Sequence, residues 1–126
     1  MSLSLLLASA VAFVVLLAHV FSGGRECVDA MYASSFDSYP RETVYACWHI
    51  VSLHLALGVI VLLLAGLLPS SAVAWTLARA VGVLYVLYAL VFLQVARSSG
   101  LPGGLRALPQ WAVLLPLGLY VCWATL

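Results

Sequence analysis

Four long apolar stretches, at about residues 3–21, 43–68, 72–96 and 109–126, hold one charged side chain between them, Arg79. A helix that crosses the hydrocarbon core of a bilayer needs about 20 predominantly apolar residues. Each stretch is near or above that length. Composition points the same way, with 66% hydrophobic and 7% charged residues in a chain of 126. Soluble domains carry roughly 25% charged residues, and a core this small cannot hide the apolar excess from water. Lipid resolves the conflict. The expected fold is an all-α membrane protein in which four antiparallel transmembrane helices form one bundle, a single domain over residues 1–126. A net charge of +1 gives no electrostatic case for binding nucleic acid.

The breaks between the stretches set the expected boundaries. Met1–Phe21 lacks a basic leader, and its apolar run exceeds the roughly 7–15 residues of a signal-peptide core, so it reads as a retained helix. Ser22-Gly23-Gly24 reads as its end. A polar loop over 22–42 follows, carrying Arg25, Glu26, Asp29, Asp37, Arg41 and Glu42 with Tyr32, Phe36 and Tyr39 among them. Aromatics interleaved with charges suit the headgroup layer, and Glu26–Phe36 is a candidate interfacial helix. Pro69-Ser70-Ser71 makes a tight turn that should leave the second and third helices as antiparallel neighbours. Arg97–Gly104 reads as a loop. Pro109 suits the first turn of the fourth helix, and Pro116 should kink it. Arg25, Arg41, Arg97 and Arg106 fall on the first and third loops, whereas the opposite side has only Arg79 nearby. This bias places those loops in the cytoplasm and both termini outside, in a bacterial inner membrane.

Polar side chains gather at one depth. His19 lies near the end of the first helix, Cys47 and His49 at the start of the second, Gln94 at the end of the third, and Gln110 at the start of the fourth. Glu26 can join them from the loop, while His54 sits deeper, near mid-bilayer. Ionisable groups within a span are costly and often mark function. The set His19, Glu26, His49, His54, Gln94 and Gln110 is therefore the candidate site. Its chemistry could be haem or transition-metal ligation by His19, His49 and His54, proton relay, or binding of a polar headgroup or quinone-type ring. Hydrogen-bonded packing across helices gives the same pattern with no ligand. His49 and His54 are five residues apart, about 140° around a helix, so only one of them can pair with His19 at one site. On the second helix Cys47, Val51, His54, Gly58 and Ala65 share a strip that is expected to face the interior. Arg79 either snorkels to the headgroups or turns inward to carbonyls or an anion. Cys27, Cys47 and Cys122 form no C-x-x-C pair and are expected as free thiols.

His19, then Gly24-Arg25-Glu26, then Trp48-His49 opening the second helix, resembles a pattern in a group of small bacterial four-helix membrane proteins. The resemblance covers the first half of the chain, with Arg25 standing between the glycine and the glutamate. It implies that His19, Glu26, Trp48 and His49 belong to one site or structural motif. No Ser/His/Asp arrangement, phosphate-binding glycine loop or H-E-x-x-H motif occurs. The expected role is therefore non-enzymatic: an accessory or scaffold subunit of a membrane complex, partnered by other membrane subunits or by itself, and needing no cofactor. A haem- or metal-binding redox protein and a minimal oligomeric transporter are the alternatives.

Overall fold

The computed structural model describes residues 1–126 and contains helices and no strand. Helix α1 runs over Leu3–Tyr32, and within it His19–Asp29 is π-helical. Helix α2 covers Ser38–Leu67, α3 covers Ala72–Ser98 and α4 covers Trp111–Ala124, with a short 3₁₀ turn at Gly104–Arg106 before α4. Three of these, α1, α2 and α3, are long and apolar enough to cross a membrane; α4 is apolar but has 14 residues. Chain neighbours pack as hairpins, and α1 also meets α4, so the helices form a ring in the order α1, α2, α3, α4.

Two boundaries differ from the sequence reading. The first helix does not stop at Phe21, because Ser22-Gly23-Gly24 continues in the wider π conformation as far as Asp29. Glycine costs only about 1 kcal/mol inside a helix, and here it makes room for a neighbour. A Cβ on Gly23 would lie 2.6 Å from the Trp48 ring of α2. Helix α2 in turn begins at Ser38 rather than Thr43, with Pro40 in its first turn, where the missing N–H costs nothing. The loop expected over 22–42 thus shrinks to residues 33–37. Helix α2, with 30 residues, measures about 45 Å, some 15 Å more than the thickness of a bilayer's hydrocarbon core.

Small residues let the backbones approach. A Cβ on Gly118 of α4 would lie 2.7 Å from the Gly82 carbonyl and 2.8 Å from the Val86 nitrogen of α3. Gly66 of α2 lies against Leu6 of α1, and the Tyr85 hydroxyl of α3 rests on Gly58 of α2. Ser9 of α1 donates to the Val59 carbonyl at 3.0 Å. The core holds twelve residues, among them Ala8, Ala12, Ala65, Ala78 and Ala89. On α2 the buried positions are Leu55, Gly58, Leu62, Ala65 and Gly66. Of the five residues of the expected strip, Gly58 and Ala65 are inside, while Cys47, Val51 and His54 are exposed.

Substituting Gly118 tests the closest of the backbone-to-backbone contacts. Gly118→Leu meets backbone that cannot step aside and should lower stability by about 1–3 kcal/mol, the usual cost of overpacking. Gly24→Ala meets open space and should leave stability unchanged or slightly raised. Denaturation in mixed micelles followed by circular dichroism reads both; equal midpoints for the two variants would contradict the packing described.

Candidate functional site

The first turn of the π-helical segment carries His19 to α2. Its imidazole stacks on the Trp48 indole, with centroids 3.9 Å apart and planes 17° from parallel. Its Nε2 lies 3.1 Å from Ser52 Oγ. The Ser52 hydroxyl has one hydrogen and donates it to the Trp48 carbonyl at 3.0 Å. Ser52 therefore accepts from His19, which makes Nε2–H the donor and leaves Nδ1 with its lone pair. Trp48 and Ser52 are one turn apart, as are His19 and Gly23, so each helix presents one face to the other. Gly23 supplies the gap into which Trp48 fits.

Beyond this contact, the tip of the α1–α2 hairpin forms an aromatic ladder. Tyr32 donates to Glu42 Oε2 at 3.1 Å, and Arg41 bonds Glu42 Oε1 at 3.2 Å with its guanidinium 5.2 Å above the Tyr32 ring. Tyr32 meets Tyr45 edge-on at 5.5 Å, and Tyr45 meets His49 edge-on at 4.5 Å. His49 thus belongs to this ladder and not to the His19 contact. The charged groups are largely exposed, so the Arg41–Glu42 pair contributes little to stability.

The other expected site residues do not converge. Glu26, Gln94 and Gln110 are exposed and separate, and His54 is exposed on α2. Its Nδ1 lies 2.9 Å from the Ile50 carbonyl. A carbonyl only accepts, so Nδ1 carries the proton and Nε2 presents a lone pair. Arg79 is exposed, and its guanidinium donates to the Thr125 carbonyl at the end of α4. His19, His49 and His54 do not form a ligand set, and no three His, Cys, Asp or Glu side chains are grouped to hold a metal ion. The three cysteines are free thiols, Cys27 and Cys47 exposed and Cys122 half-buried. Ser52 is not among the residues the sequence singles out, and Gly23 is read there only as part of a helix end. Their only signal is the four-residue spacing to Trp48 and His19.

Comparison with protein families, with curated proteins and with solved structures gives no match to this chain. Function has to be read from the side chains.

The hydrogen bonds fix opposite tautomers at the two histidines. In ¹⁵N NMR of the protein in lipid at neutral pH, His19 should carry its proton on Nε2 and His54 on Nδ1. Ser52→Ala should release the preference at His19 and leave His54 unchanged. An Nδ1-protonated His19 in the unsubstituted protein would be incompatible with the Ser52 contact.

Proposed function

We propose that this protein is a non-enzymatic, four-helix subunit of a membrane assembly: an accessory or scaffold component of a larger complex, or a small homo-oligomer. The observation that carries the reading is His54, which is exposed near the middle of the apolar part of α2. A polar ring facing acyl chains has no partner for its free nitrogen, and intramembrane polar groups seek one on another helix. Inside the bundle, the Ser9 and Thr125 hydroxyls donate to backbone carbonyls of the chain itself, while the buried Tyr85 hydroxyl and Trp75 indole N–H have no partner. In this reading α4 is the fourth span. Gln110 and Trp111 mark one end and Trp123 the other, and its length of about 21 Å is met by local thinning of the bilayer or by partner helices. The end of the bundle that carries Arg25, Arg41, Arg97 and Arg106 faces the cytoplasm of a bacterial cell, with the termini outside.

One observation favours a haem- or metal-binding redox protein as the second reading. A ring N–H donated to a backbone carbonyl, as His54 donates to Ile50, is the arrangement that orients a ligating histidine. Both readings are tested in one preparation. Purified from membranes in mild detergent and then measured by native mass spectrometry and visible spectroscopy, the protein should appear as a discrete oligomer or with a stoichiometric second subunit, and colourless. A stable lone monomer would reject the assembly reading. A Soret band or bound metal that disappears in His54→Ala would put the redox reading in its place.

Orientation has its own handle in the exposed thiol of Cys27. A membrane-impermeant maleimide should label Cys27 in inside-out vesicles and not in intact spheroplasts. Labelling in intact spheroplasts would reverse the topology.

A further inference from the structure

The exposed strip on α2 has a definite phase. Around a helix that turns 100° per residue, His54 lies within about 40° of Gly58 and 20° of Ala65, and Cys47 and Val51 within about 20° of Gly58. Gly58 and Ala65 are buried, whereas Cys47, Val51 and His54 are exposed. The side of α2 that is buried at Gly58 and Ala65 is therefore uncovered at His54, Val51 and Cys47. Exposed Ile50 and Leu57 flank it and make a continuous apolar surface with one polar group.

That polar group is an acceptor, because its Nδ1–H is committed to Ile50 and its Nε2 is free. Two copies facing each other through His54 alone would oppose lone pair to lone pair. The donor that His54 needs is on the neighbouring helix. The Tyr85 hydroxyl touches Gly58, which sets the register of the antiparallel α2–α3 pair and puts Tyr88 and Ala89 at about the depth of Leu55 and His54. Tyr88 is half-buried at the edge of the core, and its hydroxyl has no partner among the side-chain hydrogen bonds of the fold. Tyr85, at 2% exposure, is sealed and out of reach. Acceptor and donor thus lie at one depth on adjacent helices of one face.

We propose that this α2–α3 face is the interface with a second copy of the chain, closed by reciprocal hydrogen bonds from the Tyr88 hydroxyl of each copy to His54 Nε2 of the other. The proposal rests on the assembly reading and specifies its homo-oligomeric form. Two copies inserted the same way are related by an axis along the membrane normal, which preserves depth, so groups of equal depth meet. A two-fold makes every contact twice, and His54 and Tyr88 satisfy each other twice with no ion and no third component.

The test is dimerisation in liposomes, read by energy transfer between donor and acceptor dyes on Cys27 in full-length protein carrying Cys47→Ala and Cys122→Ala, across a series of lipid dilutions. The protein should dimerise, and His54→Phe and Tyr88→Phe should each raise the dissociation density on the order of tenfold, since each removes both bonds of an interhelical pair. The double variant should be no weaker than either single one, the non-additivity expected of residues that share one interaction. Tyr88→Phe keeps the ring, and circular dichroism checks that the fold is retained. Dimers indifferent to both substitutions, or strictly additive effects, would overturn the interface while leaving the assembly reading intact. Monomers at every dilution would overturn the interface too, and the assembly reading would then stand or fall on a stoichiometric second subunit in native membranes.

Discussion

Helices surrounded by acyl chains gain little by burying apolar side chains against one another, because the lipid is as apolar as the core. What holds such a bundle is contact at short range, and short range requires that side chains be absent where backbones cross. This constraint organises the molecule. Gly118 and Gly82 bring α3 and α4 together, Gly66 brings α1 to α2, and Gly58 receives Tyr85 between α2 and α3. The alanines of the core continue the same surfaces. Gly23 extends the principle outside the core proper by admitting Trp48, and through Trp48 it positions His19. The contact that unites His19, Trp48 and Ser52 therefore depends on a glycine that sequence reading takes for a helix end.

How much was legible follows from where hydropathy carries information. Length and apolarity identify three of the helices, and Pro69-Ser70-Ser71 fixes one hairpin. Helix phase is another matter. In a soluble helix the polar face points outward and so announces the apolar one. In α2 both faces are apolar, and Ile50, Leu53, Leu57 and Ile60, all exposed, are no different in kind from buried Leu55 and Leu62. With no contrast to read, the small residues Gly58 and Ala65 were the usable signal, and they marked the interior correctly where α3 is present. Extending their strip to His54 failed because which positions of α2 its neighbours cover is a tertiary fact, absent from either helix alone.

The candidate site was legible in kind but not in arrangement. One depth does gather His19 and His49, yet lateral position assigns them to different partners, His19 to Ser52 and Trp48, and His49 to Tyr45. Depth comes from counting residues along a helix. Lateral position comes from rotation, and the π-helical stretch changes the rotation per residue just where His19 emerges. A count at 100° per residue cannot place Glu26 relative to His19 across such a segment, and the two do not meet. Ser52 escaped notice because serine one turn from tryptophan is common and means nothing until a histidine arrives from another helix.

Arg79 shows how an expensive residue can be structural. It sits about seven residues, or 10 Å, into α3, where a guanidinium in hydrocarbon carries a penalty of a few kcal/mol. Helix α4 is short and ends at the same depth, and the final carbonyls of any helix lack intrahelical donors. In lipid each unsatisfied carbonyl would itself cost several kcal/mol. Two side chains deal with these carbonyls. Thr125 Oγ1 turns back to Val121 and Cys122 at 2.9 and 3.1 Å, and Arg79 donates to the Thr125 carbonyl. The charge that α3 carries and the backbone that α4 leaves open are thus two liabilities at one place, each reduced by the other. The same logic separates Arg79 from His54. Arg79 has a partner within the chain, the Thr125 carbonyl. His54 has one ring nitrogen bonded to Ile50 and one without a partner in the chain, and the proposed assembly turns on that difference.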